Sequence, residues 1–118
     1  MKIGVVVAVC VLLALSIFFV RRPTAPVMHA DIVLTDGGFT PATITLRKGG
    51  TVTFSTNVAR PFWPASNDHP THLIYPAFDP KQPVAANSTW SFTFVRVGDW
   101  GFHDHLRSYF TGDIHVVE

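Results

Sequence analysis

Four of the six histidines of this chain lie in two short segments that are about thirty residues apart. The first segment carries His69 and His72, and the second carries His103 and His105. Alternate residues of a strand point to the same side, so His103 and His105 are predicted to share one face while Asp104 points away. Two imidazoles at the end of a strand, opposite a loop that carries two more, are typical of a site for a borderline divalent metal ion.

An interpretation without a metal is also open for these residues. His69 and His72 would then be solvated loop residues, and His103 a hydrogen-bonded histidine of the core. For any single histidine that interpretation is the better one. Two closely spaced pairs favour the metal site.

The available ligand atoms restrict the choice of metal. The only cysteine, Cys10, lies in the apolar N-terminal segment, and Met28 precedes the predicted domain. Imidazole and carboxylate groups remain, which suit Cu(II), Zn(II) and Ni(II), and affinity for such sites is highest for Cu(II). Copper is therefore the predicted cofactor, with zinc as the second candidate. Asp68 and Asp104 are the carboxylates that could bind the ion or orient an imidazole.

The N-terminal residues predict a membrane anchor. Residues 3–20 carry no charge and are preceded by Lys2 and followed by Arg21 and Arg22. This apolar run is long enough for a transmembrane helix and longer than the core of most cleaved signal peptides. We predict an uncleaved anchor or signal in residues 1–22, a linker in residues 23–30 and one folded domain in residues 31–118. The net charge of +1, without a basic run, argues against a nucleic-acid partner.

The domain reads as all-β. Period-two alternation and glycine-containing turns, including one at residues 48–50, predict six short strands. They are residues 31–34, 42–47, 51–55, 88–95, 100–103 and 112–117. This pattern indicates an antiparallel β-sandwich. Its expected aromatic core consists of Trp90, Phe92, Phe94, Trp100 and Phe102.

One long connection interrupts the strand pattern. Residues 57–87 contain six prolines and little alternation, and a connection of that length in a compact domain is seldom without a role. Its aromatic residues are expected to cover one end of the sandwich: Phe62, Trp63, Tyr75 and Phe78. The same segment would bring His69 and His72 to the other histidine pair.

Several stretches in the same order and spacing resemble the cupredoxins, over roughly residues 31–117. They are residues 38–46 (GFTPATITL), 48–54 (KGGTVTF), 90–94 (WSFTF), 98–103 (GDWGFH) and 112–116 (GDIHV). The resemblance implies a Greek-key β-sandwich that holds copper at one end and lies on the periplasmic or extracellular side of the membrane.

The blue-copper ligands of that family are replaced in this chain. Such a site needs a cysteine thiolate, two histidines and usually an axial methionine. When Gly112 is aligned with the closing glycine of the family, Asp104 takes the cysteine position, Arg107 the second histidine and Phe110 the methionine. The early histidine falls at Phe62 or Trp63. An ordinary blue-copper electron carrier is thereby excluded.

The strand that ends at His103-Asp104-His105 has a second resemblance. It is similar to the His-x-His strand in the first domain of multicopper oxidases, where both imidazoles bind copper of a three-copper cluster. The other His-x-His pair of those oxidases, expected near residues 62–64, is absent from the sequence. Their cluster also needs a second domain that this chain lacks. Four-electron reduction of oxygen is therefore not expected.

These observations lead to one predicted function and leave alternatives open. The predicted function is a membrane-anchored, extracytoplasmic copper-binding protein with a non-blue, type 2-like site, for copper handling or accessory electron transfer beside a membrane protein partner. The first alternative is a metal-free β-sandwich that serves as an interaction or accessory subunit of a membrane complex. A small redox enzyme with an open coordination position is less well supported, so no catalytic residues are predicted.

Overall fold

The computed structural model describes residues 24–118, and the predicted anchor lies outside them. Within the described part of the chain, no helix is long and apolar enough to cross a membrane. All the regular structure described there is β. The strands are β1 (Val27–Thr35), β2 (Gly38–Thr40), β3 (Thr43–Thr56), β4 (Pro64–Ser66), β5 (Trp90–Phe94), β6 (Gly98–Asp104) and β7 (Arg107–Val117).

The long strand β3 connects the two layers of the sandwich. Its first part, residues 43–47, pairs with β7 and, at Leu46, with the start of β1, and its second part pairs with the rest of β1 and with β5. Gly49 has a φ of +86°, and a Cβ on Gly50 would lie only 2.7 Å from the Leu46 side chain. The turn predicted at residues 48–50 is therefore wrong: the two glycines let the strand bend and change partners without ending.

The strand directions are mixed. The spatial order is β2-β1-β3-β7-β6-β4, with β5 on the other side of β3. The β1–β3 and β3–β7 pairs run parallel, which corrects the purely antiparallel expectation. Parallel neighbours need a crossover between them. The segment that contains β2 connects the first pair, and residues 57–106 connect the second.

Aromatic side chains dominate the core between the layers. Phe94 and Phe102 are fully buried, as expected, whereas Trp90, Phe92 and Trp100 are only partly buried and pack against the core. The ring of Phe78 lies 6.1, 5.3 and 4.9 Å from those of the alternating β5 residues Trp90, Phe92 and Phe94. Because Phe78 is itself fully buried, the long connection supplies the centre of the core and does not merely cover its end.

The long connection is held against β6 by a short ladder. Strand β4 lies within it and pairs antiparallel with β6, with Ala65 opposite His103. The ladder is extended on both sides, because Asn67 N donates to Gly101 O at 3.0 Å and His105 N donates to Trp63 O at 2.8 Å. The segment that follows β4 therefore lies beside the end of β6.

Candidate metal centre

Four imidazole rings converge at this end of the sandwich. His69 and His72 come from the segment after β4, His103 from the end of strand β6, and His105 from the connection between β6 and β7. One ring nitrogen from each residue lies within 4.8 Å of the other three. The structure thus brings together all four histidines that the sequence singled out.

The rings form two close pairs. His69 Nδ1 lies 3.1 Å from His103 Nε2, and His105 Nδ1 lies 3.0 Å from His72 Nε2. A neutral imidazole has one nitrogen that donates a hydrogen bond and one that accepts. Each pair therefore joins one Nδ1 and one Nε2 atom across the centre of the cluster.

Two outer side chains determine which nitrogens face the centre as acceptors. His103 Nδ1 lies 2.9 Å from Asn67 Oδ1, and His72 Nδ1 lies 2.7 Å from Asp79 Oδ2. Amide and carboxylate oxygens only accept, so both rings carry their proton on Nδ1. The Nε2 lone pairs of His72 and His103 are consequently directed into the cluster, as metal binding requires.

Asp79 is the carboxylate that the sequence analysis missed. Besides His72, it accepts hydrogen bonds from Trp63 Nε1 and from Lys81 N, both at 2.8 Å. Burial raises the pKa of Asp79, but the hydrogen bonds from His72, Lys81 and Trp63 outweigh this and lower the pKa to about 2. The group is therefore ionised at neutral pH. No spacing rule distinguishes Asp79 from other loop aspartates, so its role becomes visible only in the fold.

The two carboxylates that were considered as ligands have other partners. Asp68 accepts hydrogen bonds from the Thr71 hydroxyl and from Leu73 N, and the Thr71 bond is the main reason that the pKa of Asp68 is lowered. Asp68 thus organises the turn that carries His69 and His72. Asp104 points away from the cluster, as the strand alternation predicts, and accepts from Trp63 N at 2.9 Å.

Asp104 and Arg107, the residues that the sequence alignment set at two copper-ligand positions of the cupredoxins, form an ion pair. Arg107 Nε lies 2.7 Å from Asp104 Oδ2, with side-chain exposures of 12% and 0%. Arg107 also donates to Pro61 O at 2.8 Å. This location therefore holds a structural ion pair, and the imidazole cluster is built from different residues.

The environment keeps the central rings neutral. Burial lowers the pKa of His103 to about 4, and the neighbouring imidazoles His72, His69 and His105 add to the effect. Burial also lowers the pKa of His105, with a further contribution from His72 and His69. Neutral imidazole is the form that binds a metal ion. Both rings are thus in the neutral form at neutral pH.

The spacing of the nitrogens fits one metal ion after a small closure. Metal–nitrogen bonds of 2.0–2.1 Å place two ligands of one ion at most about 4.2 Å apart. The close pairs, at 3.0 and 3.1 Å, already satisfy this limit. The four nitrogens all lie within 4.8 Å of one another, and this separation exceeds the limit for ligands of one ion by roughly half an ångström. An all-imidazole set has no sulfur ligand, so a thiolate-to-copper absorption band is excluded.

Comparisons with known proteins identify the fold. No family model matches the chain, and no curated protein matches it. Among solved structures, the chain is similar to a purple cupredoxin from Nitrosopumilus maritimus, with a TM-score of 0.65, 19% identity, and coverage of 75% of this chain and 99% of that one.

The chain is also similar to two further solved structures. An amicyanin variant gives a TM-score of 0.64 at 15% identity, over 76% of this chain and 83% of that one. A copper-containing nitrite reductase from Thermus scotoductus gives 0.64 at 17% identity and covers 82% of this chain, which spans only 25% of the reductase chain. At these identities the likeness establishes the fold and nothing finer. The described part of the chain has the cupredoxin fold.

Proposed function

We propose that this protein binds one copper ion through His69, His72, His103 and His105 and serves in copper handling. The observation that carries the proposal is the convergence of four imidazole nitrogens from two separate segments. The acceptor nitrogens of His72 and His103 are oriented by Asp79 and Asn67, as in sites where outer residues fix metal-binding histidines.

Copper is favoured over zinc for two reasons. Intrinsic affinity for nitrogen ligands rises from nickel to copper and falls again at zinc. Proteins of the same fold include a reductase described as copper-containing and an amicyanin described in its Cu(I) form. When bound, the ion would supply a non-blue Cu(II) centre, while the protein contributes ligand orientation and a partly buried setting. The absence of a thiolate ligand argues against rapid blue-copper electron transfer.

A retained membrane anchor and an extracytoplasmic location belong to the same proposal. The support is the apolar run over residues 3–20 and the resemblance to a family that works outside the cytoplasm. Mass spectrometry of the native protein tests the anchor. A mature N-terminus at or after residue 27 would instead indicate a cleaved signal.

The copper site is tested by removing its histidines. The full-length chain, purified in mild detergent without a histidine tag, is expected to bind one Cu(II) and to give an electron paramagnetic resonance spectrum of a nitrogen-coordinated type 2 centre. The double substitution His103→Ala/His105→Ala should abolish this binding. The controls are His29→Ala in β1 and His115→Ala in β7, because His29 is exposed and His115 pairs with Asp99 at 2.6 Å.

One result would reject the proposal. If the double variant binds copper as tightly as the parent and the two controls, the imidazole cluster is not the site. The metal-free interaction subunit then becomes the better explanation.

A further inference from the structure

The four rings of the cluster are not held equally by the protein. His72 and His103 are 3% and 2% exposed, and each is hydrogen-bonded to an outer oxygen, on Asp79 and Asn67 respectively. His105 is half-buried and its backbone N donates to Trp63 O at 2.8 Å. Two imidazoles are therefore fixed by hydrogen bonds from outside the cluster, and the backbone of the third residue, His105, is held as well.

His105 is further restrained by an aromatic neighbour. The centroid of its ring lies 4.4 Å from that of Trp63, and the indole of Trp63 is itself tied to Asp79 through Nε1. Because Asp79 also binds His72, a single carboxylate supports two members of the cluster. Movement of either ring would break contacts that the other needs.

His69 lacks such support. Its residue is exposed, and among the described residues the only hydrogen-bond partner of its ring is the His103 imidazole. The turn around it is tied by the backbone of His72 and Leu73 to Asp68, which fixes the loop but not the His69 side chain. A side chain that only one hydrogen bond holds keeps more of its rotamer freedom than one fixed from outside the cluster, and it loses that freedom on binding.

We infer that His69 is the exchangeable ligand of the centre, and that an incoming imidazole from a copper donor or acceptor binds at the position that His69 vacates. This inference rests on the proposed copper site. It adds which ligand is replaced when the ion is exchanged with a copper donor or acceptor. In the exchange one copper–nitrogen bond to His69 Nδ1 breaks and one bond to the incoming imidazole forms. The oxidation state of the ion does not change.

The location of the other ligands supports this direction of exchange. His72 and His103 lie beneath the surface, and His105 is covered on one face by Trp63. An external ligand that displaced any of these rings would have to disturb the core or the Trp63–Asp79 contact. Displacement of His69 disturbs only its contacts within the cluster.

The test compares His69→Ala with His105→Ala, since both substitutions remove a ring that offers Nδ1 to the cluster. Full-length protein is loaded with Cu(II), and affinity is measured by chelator competition. His69→Ala should weaken copper binding by about tenfold. His103→Ala and His105→Ala should each weaken it by about a hundredfold or more, because each removes one of the three ligands that are restrained from outside the cluster. Transfer of copper to excess EDTA should be at least about tenfold faster from His69→Ala than from the parent, because the exchange position is already open.

A second measurement uses imidazole in solution as the probe. Imidazole added to copper-loaded His69→Ala should restore the parent paramagnetic resonance spectrum, whereas it should not do so for His103→Ala. Equal loss of affinity in the His69 and His105 variants, or no acceleration of transfer, would overturn the inference while leaving the copper site intact. If the parent itself binds no copper, the proposed function fails and this inference fails with it.

Discussion

The position of the ring proton decides which nitrogen of a histidine can bind a metal ion, and in this protein two outer side chains make that choice. Asn67 and Asp79 each accept a hydrogen bond from Nδ1–H and leave Nε2 of His103 and His72 directed into the cluster. Asp79 has the larger influence because it is ionised and also binds Trp63. The properties of a bound ion would therefore depend on residues that do not themselves contact it.

Substitution of Asp79 tests this dependence. Asp79→Asn keeps the shape but removes the charge that holds His72, so we expect copper affinity to fall by about 10- to 100-fold. The matched control is Asp99→Asn, because Asp99 makes the same type of contact to His115 at 2.6 Å outside the cluster. Chelator competition measures both. An Asp79→Asn protein with parental affinity would show that the His72–Asp79 contact does not tune the site.

The copper-free protein should lose stability in mild acid. The pKa of His103 is lowered to about 4 in the folded state, whereas an unfolded histidine has a pKa of about 6.5. Between these values the unfolded chain binds more protons, so the free energy of unfolding falls as pH drops from about 6.5 to 4, by up to about 3 kcal/mol for this group. The lowered pKa of Asp79 affects stability over a separate pH range, because the stability that it contributes is lost only as pH falls from 3.8 towards 2.

Urea unfolding at a series of pH values measures the effect. His103→Gln should flatten the dependence between pH 4 and 6.5, because glutamine does not titrate. An unchanged slope in this variant would assign the acid sensitivity to other groups.

At the scale of elements, the segment between β3 and β5 is both a core component and the support of the site. Phe78 lies at the centre of the aromatic core, and its carbonyl accepts from Ser66 N in β4 at 2.8 Å. The next residue is Asp79. Packing of the core therefore positions the carboxylate that orients His72.

This arrangement predicts a difference between two phenylalanines. Phe78→Ala should lower the free energy of unfolding by about 3–5 kcal/mol, as expected for a fully buried ring. Phe92→Ala should cost less, because Phe92 is only partly buried, and it is the matched control. Urea unfolding of the copper-free proteins gives both values. Equal losses would mean that the loop residue is no more important to the core than the strand residue.

Alternation and composition predicted much of this organisation. The period-two alternation of the sequence predicted that Trp90, Phe92 and Phe94 lie on one face of a strand. The prolines of residues 57–87 indicated the segment that brings His69 and His72 to the site. Strand β4 was not predictable, because three residues are too few to show a period. The continuous β3 was missed since glycines that bend a strand and glycines that end one look alike in sequence. The role of Asp79 depends on tertiary packing alone.

For the whole molecule, the cluster joins parts of the chain that are distant in sequence. An ion held by both histidine pairs would tie the segment after β4 to the β6–β7 connection, and it would bind the folded state only. Copper at a free concentration of 100 times its dissociation constant should therefore raise the free energy of unfolding by about 2.7 kcal/mol. Thermal unfolding with and without Cu(II) tests this, and His103→Ala/His105→Ala should show no such gain. Equal gains in both proteins would mean that copper acts elsewhere.

The Asp104–Arg107 ion pair limits which substitutions could give this domain a blue-copper site. In the alignment with the cupredoxin pattern, such a site would require a cysteine at residue 104 and a histidine at residue 107. The Asp104 side chain is 0% exposed, and removal of one partner from such a pair costs about 3–5 kcal/mol because the other charge stays buried and unpaired. Each single step therefore yields a weakened protein before any new ligand set is complete. A route to a blue-copper site in this domain, whether by selection or by protein engineering, has to replace both residues together.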